Sequence, residues 1–375
     1  MNVLYVTNTL HRGGAEAHLL LLATGLRARG HHCEVAFLRS SVDGGSFDLR
    51  PSFEHAGIRT HYLDCERSYD LRIGIRLNRV LTGRTWHVLH SHLPRADAAA
   101  AMCKRWNRRQ AWIATLHHPY DNAYSGARLV PMLAPMWRGA DGIIAVSEMV
   151  RRWAIDRLKL PAESVRTIPH GLDSQPRPHG SAPVPAAPRH CIGSIGRYEE
   201  RKGHETLIRA MAIVLKEFPD ARLIVAGHDP WGYGGVLQRL IDEMGLRDHV
   251  QLIGFMSDKE SFFSQIDIFA FASLSEGFGI VLLEAMAEAI PAVVSNIPPL
   301  NEILTPGVTG LVAERDDPAD FARAIITLFR DRDTMRRMGD AGRERVRSEF
   351  STERMVDRTL AFYKDIVAGA AAVRA

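Results

Sequence analysis

The chain has 375 residues, which at roughly 100–200 residues per domain argues for two or three domains. Hydrophobic residues make up 46% and charged residues 24%, a balance that excludes disordered, collagen-like and coiled-coil chains. The net charge is only +4, but the halves differ: up to Leu172 there are 23 basic and 14 acidic residues, and after it 24 and 29. A first half of +9 beside a second of −5 points the first toward anionic partners such as phosphorylated substrates or lipid headgroups. An arginine-rich genome is the plainer alternative, since only six of the 47 basic residues are lysines.

Short β-rich runs alternate with helical patterns throughout, the signature of βαβ units and a mostly parallel sheet. The first half opens with a strand at VLYVTN (3–8), a loop HRGG, and an amphipathic helix from Ala15 to about Arg29 that Gly30 ends. Further strands are expected at HHCEVAFL and near 58–63, 86–91, 111–116, 142–146 and 164–168. The second half restarts the rhythm at HCIGSIG (190–196), followed by a helix over 204–217 and strands at ARLIVAG, VQLIG, DIFAFA, PAVVS and TGLVA. Between them, SQPRPHGSAPVPAAP holds five of the 19 prolines and reads as a linker. The expected division is therefore 1–173, a linker at 174–189, a second domain at 190–350, and a helix in 351–375 that returns to the first domain. Two doubly wound α/β domains of this kind bind ligands at the carboxyl ends of their strands, in a cleft between them.

No stretch of about 18 apolar residues occurs, and MNVLYVTNTL lacks the basic start and apolar core of a secretory signal. A cytoplasmic location is expected, at the inner membrane face if the basic half meets lipid. Cys33, Cys65, Cys103 and Cys191 form no CxxC pair, so they read as reduced, buried thiols.

Chemistry concentrates in a few segments. In SLSEGFGIVLLEAMAEAIPAVVS (273–295) a strand ends in Ser and Glu, and glycines open a helix whose free N–H groups and dipole suit a phosphate. Glu276 and Glu284 have seven residues between them, the second among apolar neighbours where sugar hydroxyls would be good partners. The bland reading is a helix-start carboxylate with an incidental ion pair. In SIGRYEERKGHETL, Arg197 and Lys202 converge beyond a strand end as a diphosphate clamp, or as ordinary solvated surface. In the first βα turn, Gly13 and Gly14 allow a ligand close to the backbone, with Glu16 in the first helical turn.

His90 with His92, His117 with His118, and His170 all follow predicted strands. They either position a substrate, His117 most of all, or simply satisfy hydrogen bonds. Asp331-Arg332-Asp333 spells a DxD metal pattern but lies in a helical, arginine-dense stretch, and no metal site is assigned. ADAAAAMCKRWNRRQ (96–110) sets basic residues beside Trp106, fit for a lipid surface or a solvated helix face. Neither GxGxxG nor Walker A follows any strand, which disfavours dinucleotide oxidoreductases and P-loop enzymes.

Taken together, GGAE (13–16), IPHGLD (168–173), GRYEERKG (196–203) and EGFGIVLLE (276–284) resemble the retaining glycosyltransferases of family 4. The resemblance spans nearly the whole chain. It implies the GT-B architecture of two facing Rossmann-like domains, an acceptor-binding first domain and a nucleotide-sugar-binding second. It further implies that Arg197 and Lys202 bind the donor diphosphate, that Glu284 holds the ribose, and that Glu276 with Gly277, Phe278 and Gly279 holds the donor sugar and its phosphate. Gly13 and Gly14 would approach the diphosphate from the first domain, and His117 would lie near the reacting centre. With His117, Arg197, Lys202 and Glu276 as the catalytic set, the implied reaction moves a hexose-type sugar, retains anomeric configuration and needs no divalent metal or other cofactor. A lipid-linked or polysaccharide acceptor fits the basic first half, with peripheral membrane contact and no nucleic-acid partner. GHDPWGYGG (227–235) departs from the family's short glycine-rich turn, which leaves the nucleotide base open. A sugar-nucleotide 2-epimerase and a non-catalytic nucleotide-sugar-binding partner are the alternatives.

Overall fold

The computed structural model describes residues 1–11, 13–40, 48–66, 70, 72–107, 109–120, 130–173, 190–256 and 258–374. The proline-rich stretch 174–189, together with Arg12 of the HRGG loop and Arg108 of the basic stretch, lies outside these residues. The chain forms two compact units, Met1–Asp173 with Ser351–Ala375, and Ser174–Phe350.

In the first unit the strands are β1 (Asn2–Thr7), β2 (His32–Phe37), β3 (Arg59–Tyr62), β4 (Val88–His92), β5 (Ala111–Leu116), β6 (Gly142–Ala145) and β7 (Val165–Thr167). They form one sheet in the order β3-β2-β1-β4-β5-β6-β7, every adjacent pair parallel. The second unit repeats the plan with β8 (Cys191–Ile195), β9 (Arg222–Ala226), β10 (Val250–Gly254), β11 (Ile268–Phe271), β12 (Ala292–Ser295) and β13 (Gly310–Ala313), ordered β10-β9-β8-β11-β12-β13. These pairs are parallel as well. Helices cover both faces, so central strands such as β5 and β11 are buried along their whole length, which is why they read as unbroken apolar runs.

The strand order reverses direction between β1 and β4 in one unit and between β8 and β11 in the other. Within each sheet such a switch point, at the carboxyl ends of β1 and β4 in one and of β8 and β11 in the other, is the position where folds of this kind bind ligands.

The helix Thr352–Arg374 packs into the first unit's core, where Met355, Val356, Phe362 and Tyr363 join Tyr5, Phe37, Val88 and Ile113. Its entry is fixed by a bridge between Leu172 and Ser351 and by the Thr352 N–H donating to the Leu172 carbonyl at 3.0 Å. A side chain at Gly25 would meet Val356 at 2.6 Å, so the glycine sets how closely this helix docks. The helix continues to Arg374 because alanine, the best helix former, carries it through AGAAAVR. The four cysteines are free and buried.

Candidate active site

In the second unit, the loops after β8 and β11 are locked together by backbone. Gly203 adopts φ +65°, and a Cβ there would lie 2.0 Å from the Ala272 carbonyl oxygen at the end of β11. Only glycine fits both the conformation and the space. The Leu274 N–H donates to the Arg201 carbonyl at 2.8 Å, and the Arg201 guanidinium donates to the Ser275 carbonyl at 3.0 Å. This coupling brings Lys202 onto Glu276, 74 positions along the chain, as a buried ion pair, while the Ser273 hydroxyl donates to the same carboxylate at 2.8 Å.

Burial pushes the Glu276 carboxyl up, but the Lys202 ammonium and the Arg201 guanidinium outweigh it and hold the group below its ordinary value. Arg201 also donates to Glu199 at 2.7 Å, and Arg197 reaches the same carboxylate at 3.3 Å. Arg197, Arg201 and Lys202 stand against Glu199 and Glu276, with Glu200 exposed in the same loop, so the cations are gathered beside the strand ends without a net charge on the loop pair. Arg197 and Lys202 thus lie in one cluster with Glu276. Arg201 and Ser273 belong to it too, although nothing in their sequence setting separates them from surface residues.

Gly279, at φ +114°, starts the helix Ile280–Ala287 without a side-chain cap. Phe278 is buried and packs edge-on against Phe350 at 6.1 Å. Gly277, Phe278 and Gly279 therefore bring backbone, not side chain, to the end of the β11 loop. Glu284 requires a correction to its expected apolar setting. Leu282, Leu283, Ala285 and Met286 point into the core, whereas Glu284 turns away and accepts two hydrogen bonds from the Lys259 ammonium at 2.6 Å each. The apolar neighbours in sequence occupy the other side of the helix. Lys259, absent from the sequence reading, holds the carboxylate in place.

The atypical turn 227–235 also reaches this cluster. Asp229 accepts from the backbone N–H groups of Tyr233 (2.7 Å) and Gly234 (3.0 Å), which shapes the turn. Trp231 is 63% exposed and stacks its ring 5.3 Å from the Arg197 guanidinium.

In the first unit, Gly13 caps the helix Gly14–Ala28 with extended backbone and no side-chain hydrogen bond. A Cβ at Gly13 would lie 2.6 Å from a Glu16 carboxylate oxygen, so the glycine makes room for Glu16 to fold back. Glu16 is buried, and desolvation raises its pKa to about 7 against hydrogen bonds from its own backbone N–H and from Thr9. Beside this turn, His18, His90, His92, His117 and His170 form one cluster with ring centroids 4.2–6.0 Å apart along its links. His90 bonds to the Tyr363 hydroxyl (2.6 Å) and the Thr115 hydroxyl (2.7 Å), and His92 Nδ1 lies 3.0 Å from His117 Nε2. His18, His90, His92 and His170 are buried; His117 is half-buried. Burial lowers all five pKa values, to about 3 for His18 and His90 and well below 6.5 for the others, so the cluster is neutral at pH 7. His18 was not singled out in the sequence, where it passes for part of an amphipathic helix.

His118 stands apart, with Nδ1 at 2.7 Å from the Pro119 carbonyl. Asp331 caps a helix by accepting from the Thr334 N–H at 2.9 Å, which accounts for the DxD pattern structurally. Lys104 of the basic stretch turns inward to Asp141 at 2.5 Å, while Trp106 is 56% exposed.

Two family models match the chain. "Glycosyltransferase Family 4" covers residues 12–175 and "Glycosyl transferases group 1" covers residues 184–345. The phosphatidyl-myo-inositol mannosyltransferase of Mycobacterium leprae is 28% identical over 89% of this chain and 88% of its own length. The N-acetyl-alpha-D-glucosaminyl L-malate synthase of Bacillus anthracis is 24% identical over 92% of both chains. Among solved structures, Anabaena HepE in complex with UDP-glucose superposes with a TM-score of 0.84 at 19% identity, over 97% of this chain and all of that one. Sucrose-phosphate synthase from Thermosynechococcus elongatus gives a TM-score of 0.81 at 21% identity, over 98% of this chain and 100% of that one. The fold shared with these proteins is GT-B.

Proposed function

This chain is a glycosyltransferase of family 4, and we propose that it transfers a hexose-type sugar from a nucleotide diphosphate donor to an acceptor hydroxyl with retention of anomeric configuration. The observation that carries this reading is the cluster of Arg197 and Arg201 on Glu199 and of Lys202 on Glu276 at the ends of β8 and β11. The leaving group is a nucleoside diphosphate, whose charge grows as the sugar–phosphate bond breaks. Preorganised cations at that point stabilise the transition state more than the ground state. Three such cations supply the neutralisation that a divalent metal supplies in other transferases, so the reaction proceeds in the presence of chelator.

Glu276, fixed by Lys202 and Ser273, accepts hydrogen bonds from donor sugar hydroxyls, and the glycine-opened helix at Ile280 presents N–H groups to the phosphate. Glu284 takes the ribose hydroxyls once Lys259 yields or shares the carboxylate. In the first unit, Gly13 and Gly14 bring helix N–H groups to the diphosphate and His117 orients the reacting sugar or acceptor. Displacement takes place on one face of the sugar, with the departing phosphate oxygen accepting the proton of the attacking hydroxyl. The names of the mycobacterial relatives and the +9 charge of the first half support a glycolipid or surface-polysaccharide acceptor. Exposed Ile75 and Trp106, the latter lying against Gly74, offer the peripheral membrane contact. Among the described residues no helix is long and apolar enough to cross a membrane. A sugar-nucleotide epimerase finds no support in the similarities.

Glu284→Gln tests the donor half of the reading. It keeps the side chain's shape and removes the charge that accepts ribose hydroxyls, so donor affinity falls about tenfold in calorimetry while the melting temperature moves little. Unchanged affinity removes Glu284 from the donor site.

A further inference from the structure

We infer that His92 is a positioning residue: its Nδ1–H donates to His117 Nε2 and so fixes His117 as the Nδ1–H tautomer, a hydrogen-bond donor and not a base. The inference rests on the reading of His117 as the ring that meets the substrate, and it adds a residue and a proton position to that reading.

The assignment follows from hydrogen-bond bookkeeping. His92 is fully buried, its Nδ1 is 3.0 Å from His117 Nε2, and its Nε2 is buried with no hydrogen-bond partner among the described residues. A neutral imidazole carries one proton. With that proton on Nε2, His92 would bury an N–H donor that bonds to nothing, the costlier kind of orphan; on Nδ1, the proton is used and Nε2 is left as a bare lone pair. The proton therefore sits on Nδ1 and points at His117, whose Nε2 must accept it. His117 in turn carries its own proton on Nδ1, the remaining polar atom of the one half-buried ring in the cluster.

The surroundings keep both rings neutral. The polar and titratable neighbours are His18 from the first helix, His90 from the same strand, His118 beside His117, His170 after β7 and Tyr5 from β1, and none of these is a carboxylate. Glu16 lies near the same turn and is itself held close to neutral at pH 7. Depressed pKa values throughout the cluster agree with a hydrogen-bond donor that does not switch to imidazolium in the working range. A donating Nδ1–H suits a sugar hydroxyl oxygen or a phosphate oxygen, and it leaves the proton of the attacking hydroxyl to the departing phosphate.

The test uses the full chain with 15N-labelled histidine, the His117 signals being identified by their loss in His117→Gln. Long-range 1H–15N correlation is expected to place the His117 proton on Nδ1 in the wild type and on Nε2, the form free imidazoles prefer, in His92→Phe. A wild-type His117 that carries its proton on Nε2, or on both nitrogens, overturns the inference. In activity, His92→Phe lowers kcat about tenfold with donor affinity unchanged, and His92→Asn, whose amide N–H can replace Nδ1–H, recovers most of the loss. Asn as slow as Phe reduces His92 to a packing role and overturns the positioning claim. If the wild type transfers no sugar from any nucleotide donor, the proposed function fails, while the tautomer measurement still decides this inference.

Discussion

Lys202→Ala is expected to lower kcat by about 10² or more, the loss typical of one preorganised group at a developing charge. The same substitution has a structural consequence that must be separated from the catalytic one. Lys202 and Glu276 are both largely buried, and Glu276 without its partner is an uncompensated carboxylate, a change that costs roughly 3–5 kcal/mol in other buried pairs. Arg201 softens this cost because it is the second cation holding the Glu276 pKa down. The double variant Lys202→Met/Glu276→Gln removes both charges and should regain most of the lost stability in urea denaturation. Its turnover should stay at or below that of Lys202→Ala. Recovery of turnover together with stability would make the pair a structural device and remove Lys202 from the chemistry.

Acid should unfold the first unit well above the pH at which carboxylates protonate. Burial depresses the pKa of His18, His90, His92, His117 and His170, to about 3 where a value is resolved. A base with a depressed folded pKa contributes stability in full above its unfolded value near 6.5 and loses it as pH falls toward the folded value. Two groups oppose this. Burial raises Glu16 and Asp97 to about 7, so they cost stability as pH rises from the ordinary carboxylate range and return it as pH falls. As pH falls from 6.5 toward 5 the unfolded chain approaches five extra protons on these histidines and the folded chain two on the carboxyls, a net that grows toward about three. The slope therefore steepens to about 4 kcal/mol per pH unit near pH 5, large against a domain stability of roughly 5–15 kcal/mol. Carboxylates held low by partners, such as Glu34 and Glu66, lose their contribution only at lower pH. Calorimetric scans should show the first unit's melting temperature falling by on the order of 10 °C per pH unit below 6.5. A melting temperature that is flat or rising from pH 7.5 to 5.5 contradicts a neutral buried cluster.

The strands were legible because both faces of each sheet are covered. VLYV, LIVA and IFAF are apolar throughout, and their spacing by helical segments dictates parallel order. Arg197, Lys202 and Glu276 were legible as types at strand ends, since chemistry in such folds gathers there. Their pairing was not, because Lys202 meets Glu276 only once the sheet order sets β8 beside β11. Glu284 shows the opposite limit: its apolar neighbours in sequence face the core while it turns to Lys259, a partner at the start of the short helix Lys259–Phe263. His18 escaped notice because a helical histidine between Ala17 and Leu19 carries no local mark; only the fold brings it within 4.2 Å of His170. Arg201 was hidden in a run of charges, where a clamp residue and a solvated one look alike.

The central claim is that the β8/β11 cluster binds a nucleoside diphosphate through its own cations. Calorimetric titration of the wild type and of Lys202→Ala with UDP, GDP, ADP and their sugar conjugates, in EDTA, tests it most directly. One nucleotide family is expected to bind the wild type without metal, and binding is expected to weaken in Lys202→Ala by at least about tenfold, the effect of losing a charge-assisted hydrogen bond. Binding to none of them, binding only when metal is restored, or equal binding by both proteins would contradict it.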